Sequence, residues 1–329
     1  MEEQNMQYYS FTGPKGEKTS VSKIAMGCYG MGDEKSPELS FSLLDYYISQ
    51  GGNCIDTARR YGFGISEQTI GSWMRQRQNR NSLFLCTKGG HPPIEDIHIS
   101  RLSRAEIDSD LEHSLRDLDT DHVDLYFLHR DDVTRPVSDI METLDRHVRS
   151  GKVLALGASN WSTERIEEAN RFALKNGLTP FSASQIQWSL ASATPAMLHD
   201  DTLQTMNPSS YSWYLKEQMP VFSFSSQAGG FFQHLIAHGD APIDPKVHKW
   251  AKYLTEENSL RAERLKALHR ETGYSVSALA LAYLTNNPVP ALPIIGCGRM
   301  ETLRDSLAET DAVLSPEQIA FLEGRSDRL

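Results

Sequence analysis

The sequence predicts a (β/α)8 barrel, eight parallel strands each followed by a helix, carried as one domain over residues 1–329 with a hairpin at its start. Three observations predict it. Short apolar runs near 23–27, 53–57, 83–88, 123–128, 153–158, 183–188, 220–225 and 292–296 alternate with helical patterns at 37–50, 66–77, 103–118, 138–150, 163–176, 209–217 and 260–272, and a last helical pair follows at 300–309 and 315–323. The strand runs are apolar at successive positions, as strands buried on both faces are. The turn after the first run, Met26-Gly27-Cys28-Tyr29-Gly30-Met31-Gly32, lacks the GxGxxG spacing of an open doubly wound sheet. A dinucleotide would then be held across several loops.

In chain order, Gly13-Pro14-Lys15-Gly16 is a turn between two short alternating segments and predicts the hairpin, set across the N-terminal mouth of the barrel. Residues 51–71, GGNCIDTARRYGFGISEQTIG, read as strand, tight loop and helix start, with Ser66 as N-cap and Glu67 near the positive helix end. Residues 231–259 form the longest irregular stretch and hold His234, His238, His248, Trp250 and Tyr253. In a barrel they would lie over the C-terminal face, where loops carry function.

Composition narrows the function. A formal net charge of −10 gives no basic field for nucleic acid. No apolar run reaches the ~18 residues of a membrane helix, and the polar start MEEQNMQYYS is unlike a signal peptide. Cys28, Cys54, Cys86 and Cys297 form no CxxC pair and accompany no histidine cluster, so a disulfide framework and a metal site are not expected. A cytoplasmic protein with a small-molecule substrate is expected.

Three ionisable residues end consecutive strands: Asp56, Lys88 and His129. Side chains alternate with period two, so Asp56 shares a face with Cys54, Lys88 with Phe84 and Cys86, and His129 with Leu125 and Phe127. Each tops an apolar column, and three such columns would converge at one end of a barrel. Singly, each residue suits a solvated loop. His129-Arg130-Asp131 also mimics a kinase motif, but no kinase glycine loop or DFG accompanies it.

The stretch Asp56-Thr57-Ala58, Tyr61-Gly62, Ser66-Glu67 and Ile70-Gly71 resembles the signature of the aldo-keto reductases, and the likeness runs from about Ser22 to Ala308. It implies a catalytic set of Asp56, Tyr61, Lys88 and His129, a nicotinamide cofactor, and transfer of a hydride to or from a carbonyl or alcohol. A free phenol, with a pKa of about 10, is a weak acid at neutral pH. The Lys88 ammonium would lower it, Asp56 would hold Lys88, and His129 would meet the substrate oxygen.

The resemblance also implies a cofactor path. Ser159, Asn160 and Gln187 would hold the carboxamide, and Phe224 would stack on the ring. Ser225, Gln227 and Gly229 would face the pyrophosphate, with Gly27, Tyr29 and Asp56 lining the way. Gly296, Gly298, Arg299, Thr302 and Ser306 would meet the adenosine end. Arg299, with Arg304, is the cation for a 2′-phosphate, so NADP(H) is the expected cofactor, with NAD also admitted. Tyr29, Tyr61, His129 and Trp161 are the substrate candidates, beside Trp188 and 231–253. A regulatory subunit of the same fold and a nicotinamide-dependent epimerase are the alternatives. Oligomeric state is not legible.

Overall fold

The computed structural model describes residues 6–238 and 250–329. β1 (Tyr8–Thr12) and β2 (Lys18–Ser22) form an antiparallel hairpin. The barrel strands are β3 (Ala25–Gly27), β4 (Cys54–Asp56), β5 (Phe84–Gly89), β6 (Val123–Leu128), β7 (Val153–Ser159), β8 (Phe181–Gln187), β9 (Val221–Phe224) and β10 (Ala291–Ile295). They run parallel in chain order, and β10 closes the ring on β3. That closure pairs Ile294 with Ala25 and Ile295 with Met26, whereas β6 and β7 pair from Val123 opposite Val153 to Leu128 opposite Ala158.

Phe11, Val21, Ala25, Cys54, Phe84, Cys86, Leu125, Phe127, Ala155, Ala183, Phe222, Leu292 and Ile294 pack together inside the ring. Two of these, Phe11 and Val21, come from the hairpin, and Phe11 lies 5.1 Å from the Phe84 ring. The hairpin thus plugs the N-terminal mouth, and the ring is filled like other eight-stranded barrels. Gly157 faces inward where a Cβ would lie 2.3 Å from the Phe127 ring, so no larger residue fits that layer.

The helices are α1 (Pro37–Ser49), α2 (Ile65–Arg77), α3 (Arg104–Asp117), α4 (Val137–Arg149), α5 (Thr163–Lys175), α6 (Pro195–Leu198), α7 (Pro208–Glu217), α8 (Phe231–His238), α9 (Glu256–Thr272), α10 (Val276–Thr285), α11 (Met300–Leu307) and α12 (Pro316–Leu322). Side-chain caps set many of their starts: Ser36, Ser103 with Glu106, Ser162, Thr255, Ser275, and Ser315 with Gln318. Among the described residues no helix is long and apolar enough to cross a membrane.

Three local expectations change. Ser66 does not cap α2: the cap position is Gly64, at φ 100°, and Ser66 is buried in the first turn, its hydroxyl donating to Met31 O at 3.2 Å. Residues 231–259 are not all irregular, because Phe231 and Phe232 are buried and start α8, and α9 begins at Glu256. His248 lies outside the described residues. α10 has no counterpart among the expected helices. Every residue of Val276–Thr285 is buried or nearly so apart from Val276, leaving no polar face to give a 3.6-residue period.

Candidate active site

The three strand ends meet as their parity requires. Asp56, Lys88 and His129 are almost wholly buried. Asp56 pairs with Cys86 and Lys88 with Phe127, so the charged groups rise in steps above the apolar layer. Lys88 Nζ donates to Asp56 Oδ2 at 2.7 Å, to Thr57 O at 2.7 Å and to Tyr61 Oη at 3.4 Å. All three ammonium donors have an acceptor, which is what a buried charge needs. Gln185 Nε2 donates to the other Asp56 oxygen, Oδ1, at 3.0 Å.

Tyr61 stands on a tight turn, 61–64, in which Gly62 (φ 56°), Phe63 (φ 52°) and Gly64 (φ 100°) are all left-handed. Such backbone costs free energy for a bulky residue like Phe63 and must be held by its surroundings. Arg59 holds it. Its Nη1 donates to Glu67 Oε2 at 3.2 Å and to Asp117 Oδ2 at 2.5 Å, and its Nη2 donates to Phe63 O at 3.1 Å. Glu67 in turn accepts from Thr87 Oγ1 at 2.6 Å. The turn is thereby tied to α2, α3 and β5. Around the Tyr61 ring stand Tyr29, edge-on at 5.2 Å, and His129 at 6.1 Å.

Burial and neighbours set the protonation. Burial pulls Lys88 down, but the Asp56 carboxylate and Tyr61 outweigh it and hold Lys88 above its ordinary value, so it stays charged. Burial pushes the Tyr61 phenol up, Lys88 pulls it down and Asp56 pushes it up again, with a net rise. This corrects the expectation of a lowered phenol pKa: burial outweighs the pull of Lys88, whose charge Asp56 also offsets. Burial lowers His129 well below its ordinary value, helped by His91, Lys88, Arg130 and Arg60, so it is neutral at neutral pH. Its Nδ1 is buried and has no hydrogen-bond partner among the described residues. The His91 ring packs edge-on against His129 at 4.6 Å. His91 Nδ1 lies 2.6 Å from Pro92 O, which can only accept, so Nδ1 carries the proton.

A cavity of about 810 Å³ opens beside Asp56 and Tyr61. It gathers Gly27, Tyr29, Phe224, Ser225, Gln227, Gly229, Gly296, Gly298, Arg299, Thr302 and Ser306 on one surface, together with Gln233, Trp250, Ser277, Glu301 and Asp305. A Cβ built on Gly296 or Gly298 would meet no atom of the described residues within 4 Å. No side chain caps the start of α11, where Arg299 is the cap residue, leaving first-turn N–H groups for an anion. A cavity of this size with hydroxyls, an aromatic face, one arginine and an uncapped helix start fits a nicotinamide dinucleotide. Arg304 is directed elsewhere, over the Tyr46 ring at 5.6 Å.

Other expected residues lie outside that lining. Ser159 and Asn160 are buried at the end of β7, where Asn160 Nδ2 donates to His129 O at 3.3 Å and to Ser159 Oγ at 3.1 Å. Gln187 Nε2 donates to Ser189 Oγ at 3.3 Å, and Gln187 borders a separate cleft with Trp188, Tyr211 and Tyr283. Trp161, expected near substrate, is buried against Phe181 in the layer between strands and helices, and its indole N–H donates to Arg130 O at 3.2 Å. The residue sequence reasoning missed is Gln185. Its signal was available, since it shares the inward face of β8 with Ala183 and Gln187. Ser277 was hidden with α10.

The family model described as the Aldo/keto reductase family matches residues 23–326. The chain is 29% identical over 321 residues to a putative aryl-alcohol dehydrogenase, AAD14, of Saccharomyces cerevisiae, covering 92% of this chain and 82% of that one. It is 30% identical over 324 residues to the uncharacterized oxidoreductase YrpG of Bacillus subtilis, covering 95% and 94%. It is 30% identical over 319 residues to a norsolorinic acid reductase of Aspergillus flavus, covering 92% and 77%. Among solved structures it matches an aldo/keto reductase from Klebsiella pneumoniae, in complex with NADP and acetate, with a TM-score of 0.70 at 23% identity, covering 96% and 94%. It matches the thermostable aldo-keto reductase Tm1743 with a TM-score of 0.73 at 24% identity, covering 98% and 100%.

Proposed function

The chain belongs to the aldo/keto reductase family, and we propose that its single barrel domain is an NADP(H)-dependent oxidoreductase acting on an aldehyde, ketone or the matching alcohol, with Tyr61 as general acid and base. One observation carries this: the Tyr61 phenol and the Asp56 carboxylate line the 810 Å³ cavity and are joined in series by the buried Lys88 ammonium, at 3.4 and 2.7 Å. When bound, the nicotinamide supplies the hydride that no side chain can deliver. Tyr61, protonated at neutral pH, gives its proton to the carbonyl oxygen. Lys88 stabilises the phenolate left behind, and Asp56 keeps Lys88 in place. Neutral His129 can donate to the substrate oxygen without adding charge. The names of two relatives, aryl-alcohol dehydrogenase and norsolorinic acid reductase, favour aromatic carbonyls.

Arg299 is the cation at the α11 end of the cavity and supports NADPH as the preferred form. Glu301 and Asp305 line the same end and oppose its charge, so NADH is also admitted. The test is a titration of both cofactors followed by nicotinamide absorbance, using a panel of aldehydes and ketones. Arg299→Ala should weaken NADPH far more than NADH. Binding of neither cofactor would sink the proposal, and an isomerised product without absorbance change would replace it with an epimerase.

A further inference from the structure

A second cavity, of about 300 Å³, adjoins the catalytic set. Lys88 contributes to its wall, as do His91, packed on His129, and Arg60, the chain neighbour of Tyr61. Phe63 also lines it, and Phe63 is unusual twice over: it is 72% exposed and holds a left-handed backbone at φ 52°. A large apolar side chain kept in strained backbone and turned to solvent calls for a purpose. The Arg60 guanidinium lies over its ring, 4.6 Å from the centroid.

The other cations around this cavity are committed. Arg59 pairs with Glu67 and Asp117, Lys88 with Asp56, and Arg101 with Asp110, while nearby Arg130 pairs with Asp200. The Arg60 guanidinium has its ring contact with Phe63 and, among the described residues, no ion pair or hydrogen bond, in a chain of net charge −10. Glu95, exposed, is the acidic group of the cavity with no ion pair of its own among the described residues. The contact with Phe63 holds the guanidinium in place, and its N–H groups remain for a ligand. That fork matches a carboxylate in two parallel hydrogen bonds.

We infer that this cavity holds the carboxylate end of the substrate, whose carbonyl lies at Tyr61 on the wall of the larger cavity, and that Arg60 selects a carbonyl compound bearing that carboxylate, with its flat body lying against Phe63. The inference rests on Tyr61 acting as the acid. It names the substrate class as an acidic aldehyde or ketone, aromatic or similarly flat.

The test uses two aldehydes of one shape, 4-carboxybenzaldehyde and methyl 4-formylbenzoate, with NADPH. The enzyme should favour the acid in kcat/KM, and Arg60→Met should lose about 10- to 100-fold more on the acid than on the ester, the range for one charged hydrogen-bonding site. Arg60→Lys should recover part of the difference, having the charge without the fork. Equal losses on both aldehydes, or a preference for the ester, would overturn it. Calorimetric titration with terephthalate reads the same site without turnover. Weaker binding by Arg60→Met supports the role of Arg60 even if neither aldehyde is reduced, in which case the reductase proposal alone fails. Equal terephthalate binding by the two proteins removes Arg60 as the selecting residue.

Discussion

Gln185 and Lys88 hold Asp56 from opposite oxygens: Gln185 Nε2 donates to Oδ1 at 3.0 Å and Lys88 Nζ to Oδ2 at 2.7 Å. A buried carboxylate oxygen stripped of its donor costs roughly 1–3 kcal/mol. Gln185→Leu should therefore lower unfolding stability by that amount in urea and reduce kcat, because Asp56 is then free to turn from Lys88. An unchanged urea midpoint would show that Gln185 does not support the carboxylate.

Tyr61→Phe removes the transferable proton and keeps the ring. Turnover should fall by ~100- to 10,000-fold while cofactor binding persists. Lys88→Met and Asp56→Asn should also slow turnover, the second by acting through Lys88. The double change Tyr61→Phe with Lys88→Met should cost much less than the product of the single changes, since the pair works as one unit. The checks are turnover on the best carbonyl found and fluorescence titration with NADPH. Near-full activity of Tyr61→Phe would remove the acid from the mechanism.

The raised phenol of Tyr61 gives the two directions different pH profiles. Burial is the main cause of that rise, which Lys88 only partly opposes. The protonated form is therefore the resting form at neutral pH, and reduction should be flat in kcat from pH 6 to 8. Alcohol oxidation needs the phenolate and should still be rising at pH 9. An oxidation rate already level at pH 7 would show that bound cofactor lowers the phenol strongly.

His91 should make the fold acid-sensitive. Burial lowers its pKa from 6.5 to about 4. Between those values the unfolded chain binds a proton that the folded chain refuses, so stability present above pH 6.5 is lost as pH falls toward 4. At pH 5 the loss is roughly 2 kcal/mol, from 1.36 kcal/mol per pKa unit. His129, lowered in the same direction, adds to it. His91→Gln should narrow the gap between urea midpoints at pH 7.5 and pH 5, and an identical gap would show that His91 is not the titrating group.

Much of the site was legible because period two is rigid. Asp56, Lys88 and His129 each had to crown an inward column once the strands were parallel and buried, and the apolar layer beneath them has that composition. The same rule left Gln185 and Gln187 on one face without saying which would reach Asp56, because barrel stagger decides height. α10 was not legible, since a helix buried all round carries no period. Ser66 suits a cap by type, but Gly64 at φ 100° starts the helix two residues earlier. The charge state of Tyr61 was the hardest to foresee, being a balance between burial, Lys88 and Asp56. Trp161 follows Asn160, whose left-handed φ of 58° turns the chain at the end of β7.

β3 is a short stave in an otherwise well-bound cask. It joins β4 through Met26–Ile55 and Gly27–Asp56 and β10 through Ile294–Ala25 and Ile295–Met26, and Pro293 lacks the N–H that another bond to β3 would need. The ring is therefore thinnest on the two sides of β3, and amide exchange should be fastest there. Gly27 and Gly296, which follow the two sides of the joint between β3 and β10, both line the large cavity. A molecule resting on both spans the joint like a hoop, so the free energy of binding would also act to keep the cask closed.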